Sequence, residues 1–177
     1  MFLPSIGARR YRTIPVNFIP NHCGPKVKMS KIGEIIDKAA QRARQMNLPY
    51  AGAALPAEAQ AMRESAGAVI VDVRSRAELD FVGRIPGSIE IEWKTYPGMQ
   101  PNPHFLQQLQ QAVPAEAKVM FICRSGARSH DAAMAAMAAG YACAFNVLEG
   151  FEGDRDAGGH RNSVGGWRAA ALPWTQS

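Results

Sequence analysis

Val119-Met120-Phe121-Ile122-Cys123-Arg124-Ser125-Gly126-Ala127-Arg128-Ser129 passes from an unbroken apolar run into a polar loop, and the residues that follow it, to Ala139, are rich in alanine and methionine. A short apolar run without polar interruption is the pattern of a strand buried on both faces. Ser129 to Ala139 reads as a helix, closed by Gly140 where a left-handed cap belongs. Cys143-Ala144-Phe145-Asn146-Val147-Leu148 is a second run of the strand kind. Strand, helix, strand in succession makes a parallel β-α-β unit. In such sheets ligands bind at the carboxyl ends of the strands, and that is where Cys123 falls.

Working outward, Ala68-Val69-Ile70-Val71-Asp72-Val73 is another buried strand and Ser88 to Ile91 a shorter one, with a helix predicted from His104 to Val113 on Phe105, Leu106, Leu109 and Val113. Pro56 to Ser65 has proline in a first helical turn and alanine behind it. From Ser30 to Asn47 the residues Ile32, Ile35, Ile36, Ala39, Ala43 and Met46 recur at helical spacing, with Ser30 as cap and Leu48-Pro49 as stop. This alternation predicts an α/β fold, a parallel sheet with helices on both faces. The glycine-rich stretch from Gly158 to Gly166 reads as a loop or a mobile tail segment.

The chain has 177 residues, 47% of them hydrophobic, which suits one domain with a real core plus extensions. We divide it into a leader over 1–28, disordered or translated from upstream of a start at Met29, an amphipathic helix over 29–48 packed on the domain, and the domain itself over 49–177. The net charge of +5 belongs to the leader: residues 1–28 hold five of the 20 basic residues and no acid, which leaves 15 basic against 15 acidic in the remainder. A neutral domain argues against nucleic acid as a partner. No window approaches the ~18 consecutive apolar residues of a membrane span, so no membrane partner is expected either. Three cysteines without a C-x-x-C pair indicate neither a disulfide framework nor a zinc site, and no metal or other cofactor is expected. A reducing cytoplasm suits this cysteine usage, and the arginines near the start precede no apolar signal region.

Each residue of the loop after Ile122 has a physical use. Backbone N–H groups at the start of a helix favour an anion, by about 0.3–1 kcal/mol when exposed and up to about 2 when partly buried. A thiolate on Cys123 is such an anion. Arg124 and Arg128 add positive field and offer forked donors to an anionic substrate. Gly126 permits the tight curl, and Ser125 and Ser129 can hydrogen-bond sulfur or oxygen, or cap the helix. With Ala127 these residues form the expected substrate loop. Asp72, at a strand end, is a candidate partner for a loop arginine. Arg74 and Glu78 have the spacing of an ion pair along a helix, Trp93 and Phe151 suit either the site mouth or the core, and His130 reads as an exposed residue at a helix start. Cys143, in an apolar strand, reads as structural.

These residues resemble the rhodanese-type sulfurtransferases. The loop from Cys123 to Ser129 is similar to that family's active-site loop, Asp72-Val73-Arg74 with Glu78 to its first block, and Gly83-Arg84-Ile85-Pro86-Gly87-Ser88 to its Gly-His-Ile-Pro-Gly-Ala block, with Arg84 and Ser88 departing from it. Gly140-Tyr141, Leu148-Glu149-Gly150 and Trp167 to Pro173 resemble the closing blocks, with Ala171 where glycine is usual and a left-handed cap would be strained. The resemblance covers about residues 50–175. It implies a three-layer rhodanese-like fold around a parallel sheet of about five strands. It also implies transfer of a sulfane sulfur from thiosulfate or a related small anionic donor, through a Cys123 persulfide, to cyanide or a thiol, with a protein acceptor as a further possibility. The alternatives are a non-catalytic or sulfur-carrier module, and a phosphatase or arsenate reductase. The latter relatives have five residues between Cys and Arg, whereas only Arg124, Ser125, Gly126 and Ala127 separate Cys123 from Arg128.

Overall fold

The structure is a computed structural model that describes residues 30–176. The leader over 1–28, the boundary at Met29 and Cys23 lie outside the described residues.

Four-residue strands form where the apolar runs stand: β2 at Val69–Asp72, β6 at Val119–Ile122 and β7 at Ala144–Val147. With β1 (Gly52–Ala54) and β3 (Ile89–Glu90) they make a five-stranded, wholly parallel sheet in the order β1-β7-β6-β2-β3. Side chains alternate between its faces. Val71, Val119 and Phe121 enter one core with Phe105 and Leu109 of α4 (Phe105–Ala112) and Ala132, Ala133 and Ala136 of α5 (Ala127–Ala138). Ile70, Met120 and Ile122 enter the other with Ala59 and Met62 of α2 (Pro56–Ala66). Helices thus cover both faces, which is why these runs are almost wholly apolar; the buried polar exceptions are Asp72 at the end of β2 and Asn146 within β7.

At the β1 edge lies α1 (Lys31–Gln45), whose Ala39 belongs to one core and Ala43 to the other. Ser30 caps it by accepting the Gly33 N–H. Arg42 forks onto Glu58 of α2 at 2.9 and 3.0 Å, joining the two helices. Gly52 is needed on β1 because a Cβ there would lie 2.4 Å from the Phe145 ring. After β3 the chain forms a separate two-stranded antiparallel sheet, β4 (Lys94–Thr95) and β5 (Gln100–Pro101).

The switch point of this winding is at the central pair β2 and β6, where Asp72 stands opposite Ile122. From β2 the chain runs through α3 (Arg76–Val82) outward to β3, and from β6 through α5 outward to β7. The loops after β2 and β6 therefore diverge and leave a crevice, the general place for a ligand in an open parallel sheet. The stretch from 158 to 166 is a built loop rather than a tail: the Asp156 carboxylate accepts from the Gly158 and His160 N–H groups and the Ser163 hydroxyl, and Glu149 accepts from the Gly166 N–H at 2.9 Å. Ala171 has φ of 52°, the left-handed conformation expected to strain it. Among the described residues no helix is long and apolar enough to cross a membrane, and no three His, Cys, Asp or Glu side chains gather as metal ligands.

Candidate active site

Cys123 is the first residue beyond β6 and continues its alternation, so its side chain points with Phe121 and Val119 toward the α5 side. The thiol is 1% exposed. Its sulfur accepts the Gly126 N–H at 3.2 Å and the Ser129 hydroxyl at 3.3 Å. Gly126 is the cap of α5, with φ of 96°, so the loop closes on the sulfur as it starts the helix. A non-glycine residue adopts that φ only with strain. Sulfur accepting two donors at the positive end of a helix is a thiolate-compatible arrangement.

A second glycine holds the loop from beneath. Gly150 has φ of 64°, and a Cβ on it would lie 2.4 Å from the Cys123 carbonyl oxygen and 2.6 Å from the Ser125 nitrogen. Contact at that range allows two backbone bonds, Phe151 N–H to the Cys123 carbonyl at 2.8 Å and Glu152 N–H to the Arg124 carbonyl at 2.9 Å. The reacting loop is thus pinned as a segment between β7's exit loop and α5.

Two of the expected ion pairs are different in the fold. Asp72 does not meet a loop arginine. It takes Arg74, with Nε at 3.0 Å from Oδ1 and Nη2 at 2.7 Å from Oδ2, and both side chains are fully buried. Arg74 also donates to the Gly83 carbonyl at 2.8 Å and lies 3.8 Å from the centre of the Phe151 ring. Glu78 in turn does not pair with Arg74 along a helix, because Arg74 precedes α3 and turns inward. Glu78 instead closes a capping box with Ser75 at the α3 start and receives both branches of Arg128 at 2.7 and 2.6 Å. The Arg128 fork expected for substrate is therefore occupied by a carboxylate fifty positions earlier in the chain.

Burial alone would raise the Glu78 carboxyl, but the hydrogen bonds from Arg128 and Ser75 and the Arg128 charge outweigh it and hold it at about 2. Burial would likewise lower Arg128; Glu78, and beyond it Cys123 and Asp72, push it further up. Arg124 is exposed and is the loop's solvent-facing guanidinium, while Ser125 is half-buried and Ala127 exposed. Trp93 packs edge-on against Phe105 at 4.9 Å and Phe151 is buried over Arg74, so both serve packing. His130 is half-buried, not exposed, with Nδ1 3.0 Å from the Tyr50 hydroxyl. Asn146, which meets the loop through Gly126, and Tyr50, which bonds Asn146 and His130, carried no motif that would single them out.

The family model described as Rhodanese-like domain matches residues 55–157, more than half of the chain. A crystal structure of Rv0390 from M. tuberculosis is 43% identical, covers 72% of this chain and 99% of that chain, and superposes with a TM-score of 0.66. An uncharacterized protein of Rickettsia conorii is 34% identical over 113 residues, 60% of this chain and 82% of its own length. At 18% identity, the polysulfide-sulfur transferase homodimer of Wolinella succinogenes shares the fold, with a TM-score of 0.50 over 84% of this chain and 95% of that one.

Proposed function

The chain belongs to the rhodanese-like domain family, and from that premise we propose that it is a sulfurtransferase working through Cys123. The observation that carries this reading is the Cys123 sulfur, seated at the start of α5 and accepting two hydrogen bonds from Gly126 and Ser129. In the first half-reaction the thiolate attacks the outer sulfur of thiosulfate. A Cys–S bond forms, the S–S bond of the donor breaks, and its electron pair leaves with sulfite. In the second, cyanide or a thiolate attacks the outer sulfur of the persulfide; the Cys123 S–S bond breaks, its electron pair returns to the Cys123 sulfur as thiolate, and the acceptor leaves as thiocyanate or as a new persulfide. Splitting the transfer into two displacements is nucleophilic catalysis, and the loop N–H groups stabilise the anion in each state.

Arg124 supplies the exposed positive charge that draws the donor's oxyanion, while Arg128, held by Glu78, fixes the loop. The donor class is a small anion carrying transferable sulfur; the acceptor is cyanide, a thiol or a protein thiol. A cycle that returns to a free thiolate suits a reducing compartment such as the cytoplasm. The test is intact mass after incubation with thiosulfate, followed by peptide mapping. One added sulfur atom on Cys123, removed by cyanide, is the expected result. Sulfur carried only on another cysteine, or full turnover in Cys123→Ser, would overturn the proposal.

A further inference from the structure

The Gly126 residue that donates to the sulfur is itself held from the side. Its carbonyl, the first acceptor of α5, receives the His130 N–H at 3.1 Å and also the Asn146 side-chain amide at 3.2 Å. Asn146 is a buried residue of β7, the strand beside β6. Its Nδ2 lies 3.4 Å from the Tyr50 hydroxyl oxygen, which is 3.0 Å from Nδ1 of His130. Directions follow from chemistry. A carbonyl only accepts, so the NH2 end of Asn146 must face Gly126. Its amide oxygen is left buried with no partner, a cost that packing alone would not select in the middle of a sheet.

We infer that Asn146 is a positioning residue for Cys123: the amide, steadied by Tyr50, fixes Gly126 so that its N–H stays on the sulfur. A glycine at φ of 96° has no side chain to hold that conformation, so the orientation must come from what binds its polar groups. Asn146 and the His130 N–H hold the carbonyl, and the sulfur takes the N–H. Without Asn146 the α5 bond from His130 remains, but the Gly126 carbonyl loses one of its two anchors and the N–H is held less firmly on the thiolate. This role rests on the reading of Cys123 as the working thiolate, and it can be measured without any sulfur donor.

The probe is the ultraviolet absorbance of the thiolate, recorded against pH for the full chain with the Cys123→Ser spectrum subtracted. The charged and titratable groups around the loop are Arg124, Arg128 and His130 on the loop and α5, Glu78 on α3, Asp72 and Arg74 at the end of β2, and Tyr50 ahead of β1. Only Tyr50 is altered, in Tyr50→Phe, so each spectrum is subtracted with Cys123→Ser made in the same background. Asn146→Leu removes both donors at similar size, and its thiolate is expected to appear at a pH higher by about one unit, the equivalent of one lost hydrogen bond to an anion. Tyr50→Phe, which leaves the amide in place but unsteadied, is expected to shift it in the same direction by less. Should Asn146→Leu fail to fold, Asn146→Ser, too short to reach Gly126, takes its place. Unchanged titration in Tyr50→Phe and in the folded Asn146 variant would overturn the inference. If the titration shifts as expected while thiosulfate leaves no sulfur on the wild-type chain, the positioning role stands and the transfer reaction falls.

Discussion

At the scale of single residues, the two arginines of the loop are not equivalent. Arg124 is exposed, whereas Arg128 spends both branches on Glu78. Arg124→Ala is therefore expected to raise the KM for thiosulfate several-fold with kcat little changed, the signature of lost ground-state binding. Arg128→Lys keeps charge but loses the planar fork, and should lower kcat and melting temperature before KM. Steady-state kinetics separate the two; a KM effect of Arg128→Lys equal to that of Arg124→Ala would mean that the fork leaves Glu78 for the donor. Gly150→Ala places a methyl 2.4 Å from the Cys123 carbonyl oxygen at a φ of 64°. It should cost more than about 1 kcal/mol of stability and most of the turnover. The nucleophile was legible from sequence because a strand end, a glycine and a helix start surround it within a few positions. Glu78 as the holder of Arg128, and Tyr50 and Asn146 behind Gly126, were not, since each meets the loop from a distant part of the chain.

At the scale of elements, Glu78 and Arg128 tie the first turn of α3 to that of α5 across the crevice. Glu78 is held at about 2 in the fold against an ordinary value of 4.5, so its stabilising contribution is complete above about 4.5 and is lost as pH falls through about 2. Melting temperatures measured across that window should fall more steeply for the wild-type chain than for Glu78→Gln, which starts lower and changes less. Equal slopes would show that the pair adds nothing to stability. The same tie bears on the chemistry: four residues separate Cys123 from Arg128, and the arginine turns to Glu78. An aryl phosphate should therefore not be hydrolysed in a Cys123-dependent way; efficient hydrolysis lost in Cys123→Ser would replace sulfur transfer with phosphoryl chemistry. Strands β2, β6 and β7 were legible because burial on both faces demands near-continuous apolar runs, with Asp72 and Asn146 as the polar exceptions. Gly52–Ala54 was not, because an edge strand of three small residues against α1 has neither length nor β-branched character. The α3 helix is seven residues, too short for periodicity to show.

At the scale of the whole molecule, the end of the described chain clasps the side of the site. Arg84 and Thr175 exchange backbone bonds at 2.7 and 2.9 Å, and Trp174 fills the space over Gly83, where a Cβ would lie 2.7 Å from its ring. Trp174 also meets Phe151 edge-on at 6.3 Å and lies beneath Arg168 at 4.2 Å. Phe151 and Gly83 both touch Arg74 beside its Asp72 partner, and the Phe151 N–H holds the Cys123 carbonyl. A route of packed contacts therefore runs from the clasp to the backbone of the nucleophile. Trp174→Ala removes a half-buried ring and should cost about 2 kcal/mol, less than the 3–5 of a fully buried aromatic. For a domain of this size that is a fall of about 4–8 °C in melting temperature. Because Phe151 and Gly83 lose a neighbour together, turnover should drop as well, at a temperature where the variant is still folded. Calorimetry and initial rates on the same preparation test both halves. A lower melting temperature with unchanged turnover would confine the clasp to stability, and an unchanged melting temperature would remove it from the energetics of the fold altogether.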